Sequence, residues 1–288
     1  MRSEQQMMEL IVGVAQQNEH VRAVAMNGSR VNPAAKRDCF QDYDVVYIVD
    51  NMKSFMENQE WVDVFGERII MQMPEQGTLI PSANNGSFMY LMLFADGNRI
   101  DLRLLPMEQR YDYVQEDTLT VVLLDKDGIM PTVSSPTDAS HVVKLPTAQN
   151  VADCCTEFWW ISTYIAKGLR RGELLYAMDH LNRYMRPMLE LLLSWKVASE
   201  HSEGINVGKS RKYLHHYVSE EVYRRLLNTY PRAEAEDIWN AVWIMTALFD
   251  ETAQQLAQTL KLNSNRDEAE QVLAYLKSVH DPTTYTQS

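Results

Sequence analysis

The hydrophobic pattern changes character near residue 145, and no other feature of the chain constrains its fold as strongly. Ahead of that point the pattern is mixed. Residues Ser3 to Gln17 set Met7, Leu10, Ile11 and Val14 at helical spacing behind a Ser3 cap, and Val21 to Met26 reads as a short strand. Tyr43 to Val49 is an unbroken β-branched and aromatic run, as expected of a strand covered on both faces. Phe88 to Phe94 and Arg99 to Leu105 flank Asp96-Gly97-Asn98, whose Asp-Gly pair supplies the positive φ that a tight hairpin needs, so the two strands are expected to be antiparallel neighbours. Pro131, Pro136 and Pro146 mark a connecting stretch.

Beyond it the period is helical almost to the end. Helices are predicted from Thr147 to near Gly172, from Glu173 to about Ser199 with a bend or break near Pro187, and after a Ser219 cap. Two more are predicted from Ala233 to about Leu260 and from an Asn265 cap toward Val279. The expected class is α+β, with a mixed sheet and flanking helices over residues 1–145 and an all-α bundle over 146–288.

With 288 residues, 45% of them hydrophobic, the chain has material for two ordinary domains. Its apolar runs, such as that around Leu189 to Trp195, fall short of the roughly 20 residues that cross a bilayer. The N-terminus is polar, which predicts no export signal. Three cysteines, two of them adjacent at Cys154 and Cys155, match neither a disulfide framework nor a zinc spacing, so a cytoplasmic location is expected. A formal net charge of -12 sets the field against nucleic acid and favours a cationic partner. The oligomeric state is not legible.

Chemistry concentrates in three aspartates. Asp42 and Asp44 open the Tyr43 strand, and alternation along a strand puts both carboxylates on one face. Two like charges so close are costly unless a cation lies between them. Asp101 sits in Arg99-Ile100-Asp101-Leu102-Arg103, and if that strand pairs beside the first, three carboxylates converge. Such hard oxygen donors suit Mg²⁺, which completes its shell with water and substrate phosphates. Upstream, Gly28 permits close backbone approach to a phosphate, and the N–H groups and hydroxyl of Ser29 can donate to its oxygens.

A hydrophobic-Gly-Ser turn, an Asp-x-Asp strand and a later strand Asp together resemble the polymerase-β-like nucleotidyltransferase superfamily. The chain is more closely similar to aminoglycoside 6-adenylyltransferases, the streptomycin-modifying enzymes. That likeness is carried by Phe40-Gln41-Asp42-Tyr43-Asp44, Glu157-Phe158-Trp159-Trp160-Ile161-Ser162-Thr163-Tyr164, Asp179-His180-Leu181-Asn182 and Gly208-Lys209, and extends to about residue 250. Asn27 departs from it, standing where relatives are expected to carry Glu.

The resemblance implies a nucleotidyltransferase catalytic domain at 1–145 and a helical substrate-binding domain at 146–288. ATP would be the co-substrate, Asp42 and Asp44 would hold Mg²⁺, and Asp101 would be a third ligand, the base, or both. Gly28, Ser29, Arg30, Lys209 and Lys212 would contact the nucleotide, the lysines from the helical side of an interdomain cleft. Asp179 would contact the cationic aminoglycoside. The alternatives are a transferase acting on a protein or nucleic-acid acceptor, and a non-catalytic interaction protein of the same fold.

Other motifs read more plainly. The stretch 204–210 mimics a phosphate-cradling loop but is one residue too short and follows no strand. Asp179 could equally pair with Arg183 at i+4. His180, His215 and His216 lack a ligand set, and Cys154, Cys155, Trp159 and Trp160 read first as packing residues, although an aromatic there could also stack on a ligand.

Overall fold

The computed structural model describes residues 1–79, 85–262, 266–281 and 283. Contacts divide the chain into two compact units, Met1–His141 and Val142–Ser288. The predicted Asn265 cap lies outside the described residues.

The first unit opens with α1, Glu4–Gln17, whose start is fixed by a capping box between Ser3 and Gln6. It continues through β1 (Val21–Asn27), β2 (Tyr43–Val49), α2 (Met52–Glu57), β3 (Arg68–Gln72), β4 (Phe88–Phe94), β5 (Arg99–Pro106), α3 (Arg110–Glu116) and β6 (Val121–Asp125). Six strands form one sheet in the order β3-β4-β5-β2-β1-β6. Among the described residues only the β2–β5 pair is parallel. Apart from Asp44, every β2 residue is buried, which is why the strand shows no alternation. In β4, by contrast, burial alternates along the whole strand. The β4–β5 hairpin turns at Gly97, φ +84°. One sheet face packs on α1 through Met7, Ile11, Val24, Tyr47 and Tyr90, and the other carries a smaller cluster of Ala23, Ala25, Val46, Ile48, Leu105 and Tyr113 of α3.

The second unit is helical. It comprises α4 (Ala148–Arg170), α5 (Leu174–His180), α6 (Arg186–Ser199), α7 (Glu220–Leu227), α8 (Ala235–Leu260) and α9 (Arg266–His280). A Thr147 capping box starts α4 and the Ser219 hydroxyl caps α7. The irregularity expected near Pro187 is a π-helical turn at Leu181–Met185, directly ahead of α6. Proline has no N–H to give the preceding turn and its ring crowds the carbonyl four residues back, so the helix widens there. The core runs through Phe158, Ile165, Leu189, Val242, Met245 and Phe249. Among the described residues no helix is long and apolar enough to cross a membrane.

Candidate active site

Parallel pairing of β2 with β5 sets Tyr43 opposite Ile100 and Asp44 opposite Asp101. Strand alternation carries Asp42, one residue before β2, to the face that Asp44 occupies. The consequence is convergence: one carboxylate oxygen from each of Asp42, Asp44 and Asp101 lies within 4.8 Å of the others. Among the described residues this is the one group of His, Cys, Asp or Glu side chains able to surround an ion. Oxygens sharing one Mg²⁺ at about 2.1 Å stand about 3 to 4.2 Å apart, so small side-chain rotations suffice and the donor set fits the ion.

Positive charge already leans on this group. Arg99 donates from Nε and Nη2 to the two oxygens of Asp101, each at 2.7 Å, and lies 3.9 Å from Asp42. The Asp101 hydrogen bond, with the charges of Asp101, Asp42 and Asp44, raises the Arg99 pKa.

Around the carboxylates the backbone is closely fitted. Gly28 has φ +77°, and a Cβ there would overlap the Asp44 carboxylate, with Cγ at 2.9 Å. Its tight approach is thus to an aspartate of the triad. Arg30, expected among the nucleotide contacts, is buried. It donates to the carbonyls of Asp42 at 3.0 Å and Gln41 at 2.7 Å and lies 3.7 Å over the Tyr43 ring, which braces the start of β2. Asn27 donates to Asp117 at 3.0 Å and Thr120 at 2.8 Å, and accepts from the Tyr113 hydroxyl, tying the end of β1 to α3. A cavity of about 190 Å³ opens beside the triad, lined by Asp44, Asp101, Arg103, Tyr113 and Glu116 among others.

The remaining sequence candidates lie in the helical unit. Asp179 is ion-paired with Arg183 at 2.8 Å, one helical turn on. Lys209 and Lys212 are exposed, in a short turn where Ser210 and Arg211 both have positive φ and Arg211 is anchored to Glu190 at 3.0 Å. The His215 and His216 rings lie 3.9 Å apart, tilted by 41°. Burial pushes the Cys154 thiol up to about 12, and burial with Glu268 and Asp250 nearby pushes Cys155 up to about 11, so both are protonated packing groups. The two adjacent tryptophans part company: Trp159 is 4% exposed, as packing demands, but Trp160 is 59% exposed. Sequence reasoning missed the Arg99 and Arg30 contacts, which depend on side-chain direction.

The profile of the family described as Streptomycin adenylyltransferase matches residues 1–279. The chain belongs to that family. It is 40% identical over 261 residues to an aminoglycoside 6-adenylyltransferase of Bacillus subtilis (strain 168), covering 90% of this chain and 92% of the relative. With a namesake from Campylobacter jejuni it shares 38% identity over 257 residues, 89% of each chain. Among solved structures it is similar to a Bacillus subtilis aminoglycoside 6-adenyltransferase, at 35% identity and a TM-score of 0.48, covering 97% of this chain and 99% of that one. Membership in the streptomycin adenylyltransferase family makes the chain a nucleotidyltransferase.

Proposed function

We propose that this enzyme transfers AMP from ATP to a hydroxyl of an aminoglycoside, with streptomycin at its 6 position the foremost candidate, and so confers resistance in the cytoplasm. The reading is supported chiefly by the gathering of Asp42, Asp44 and Asp101 oxygens within 4.8 Å in a chain that matches the family almost end to end.

In this mechanism Asp42 and Asp44 would hold Mg²⁺, with Asp101 as third ligand, base, or both. Bound there, the ion would supply charge neutralisation at the triphosphate oxygens. The Ser29 hydroxyl and the backbone N–H groups after Gly28 donate to phosphate oxygens, while Arg30 acts by bracing β2 from behind. Lys209 and Lys212 take the β- and γ-phosphates, and Asp179 draws in a cationic group of the acceptor. As the acceptor oxygen bonds to the α-phosphorus, the bond to pyrophosphate breaks in line and the hydroxyl proton leaves to a base, to Asp101 where that residue serves as one and otherwise to solvent.

Pyrophosphate release with ATP, Mg²⁺ and a panel of acceptors tests this directly. Turnover confined to aminoglycosides supports the proposal. Turnover with a protein or nucleic acid instead would make this a transferase of another acceptor class, and none with any acceptor would make it a non-catalytic member of the fold.

A further inference from the structure

The helical motif at 157–164, which the aspartate chemistry leaves unused, meets His180, the neighbour of Asp179, on one surface. Tyr164 of α4 packs edge-on against His180 at the end of α5, with ring centroids 5.5 Å apart. His180 also touches Tyr176 at 4.1 Å and Tyr184, in the π-helical turn, at 5.5 Å. Turns widened in this way recur at functional sites. Trp160 extends the cluster outward: its Nε1–H donates to the Tyr164 hydroxyl at 3.0 Å, which fixes the ring and satisfies its one polar atom. A large indole held in place yet 59% exposed offers a ligand an open π face.

Helical spacing places Glu157 one turn before Trp160 on the same stripe of α4. Glu157 is exposed and makes no ion pair among the described residues. The Tyr164 ring already faces the Lys167 ammonium at 4.8 Å, whereas among the described residues no cation lies over the Trp160 indole. The negative π face and the carboxylate attract the same kind of group. A guanidinium suits both, being planar enough to stack on the ring while its edge donates in parallel to the carboxylate.

We propose that Trp160 and Glu157 form a subsite for a guanidinium group of the acceptor, the indole stacking on its plane and the carboxylate accepting from its edge. The assignment rests on the reading of the acceptor as a guanidinium-bearing aminoglycoside, and it names the side chains that select one. Tyr164 and His180 act behind them as buttresses of the indole.

Calorimetric titration of streptomycin into the wild type and into Trp160→Ala, Trp160→Phe and Glu157→Gln tests the subsite. Streptomycin Kd is expected to rise about tenfold in Trp160→Ala and in Glu157→Gln, with partial recovery in Trp160→Phe. Kd for ATP and Tm are expected to stay at wild-type values, because both side chains stand in solvent. Unchanged streptomycin affinity in Trp160→Ala and Glu157→Gln, beside tight wild-type binding, overturns the subsite alone, as does an equal loss for ATP. A wild type that binds no streptomycin while turning over another acceptor overturns the acceptor reading and the subsite with it.

Discussion

At the scale of single residues the site depends on positions where the side chain, or its absence, leaves no latitude. Gly28 is the clearest, since its φ of +77° and its approach to Asp44 both exclude a Cβ. Gly28→Ala is expected to cost about 1–2 kcal/mol in backbone strain. By displacing the Asp44 carboxylate it should slow AMP transfer at least about 100-fold, a loss that steady-state kinetics would register. The aspartates were legible in the sequence because strand alternation is strict and puts residues two apart on one face. Arg30 was not, since nothing in the order of residues says whether a long cation after Gly-Ser reaches outward to a phosphate or inward to the carbonyls of Gln41 and Asp42. Trp159 and Trp160 were ambiguous for a related reason. Neighbours on a helix are about 100° apart, and only the packing of α4 on α8 through Phe158 and Phe249 decides which one faces solvent.

At the scale of elements the β4–β5 hairpin is held by a charge the sequence alone does not reveal. Asp96 in its turn accepts from the Arg2 backbone at 3.0 Å, from Arg2 Nε at 2.7 Å and from Asn98, and these bonds hold its carboxyl well below the usual carboxylate range. A carboxylate whose folded pKa is depressed stabilises the fold above its unfolded pKa of about 4, and that contribution is lost as pH falls further. Asp96→Asn should therefore lower Tm at pH 7, with the gap to wild type closing below about pH 4, as thermal melts across pH would reveal. The strands β4 and β5 and the long helices α4 and α8 could be anticipated from a clean period over their length, and β1 and β2 from nearly continuous apolar runs. The edge strands could not. In β3, Ile69 and Ile70 are both exposed beside a bulge, and every residue of β6 is half-buried, so neither shows alternation.

At the scale of the whole molecule, each unit is built on its own buried residues, the first a sheet that presents carboxylates and the second a bundle that presents aromatics. Phe158 and Phe249 stack 3.6 Å apart at the centre of the helical core. Phe158→Ala is expected to cost about 3–5 kcal/mol, with hydrogen-exchange protection falling in α4 and α8 and holding in β2 and β5. The central claim, that three aspartates on two parallel strands carry out AMP transfer, is tested most directly by the transfer rate of Asp44→Asn with ATP, Mg²⁺ and streptomycin. A variant with wild-type Tm and a rate at least about 1,000-fold down is the expected result; a correctly folded Asp44→Asn that transfers AMP at close to the wild-type rate would contradict it.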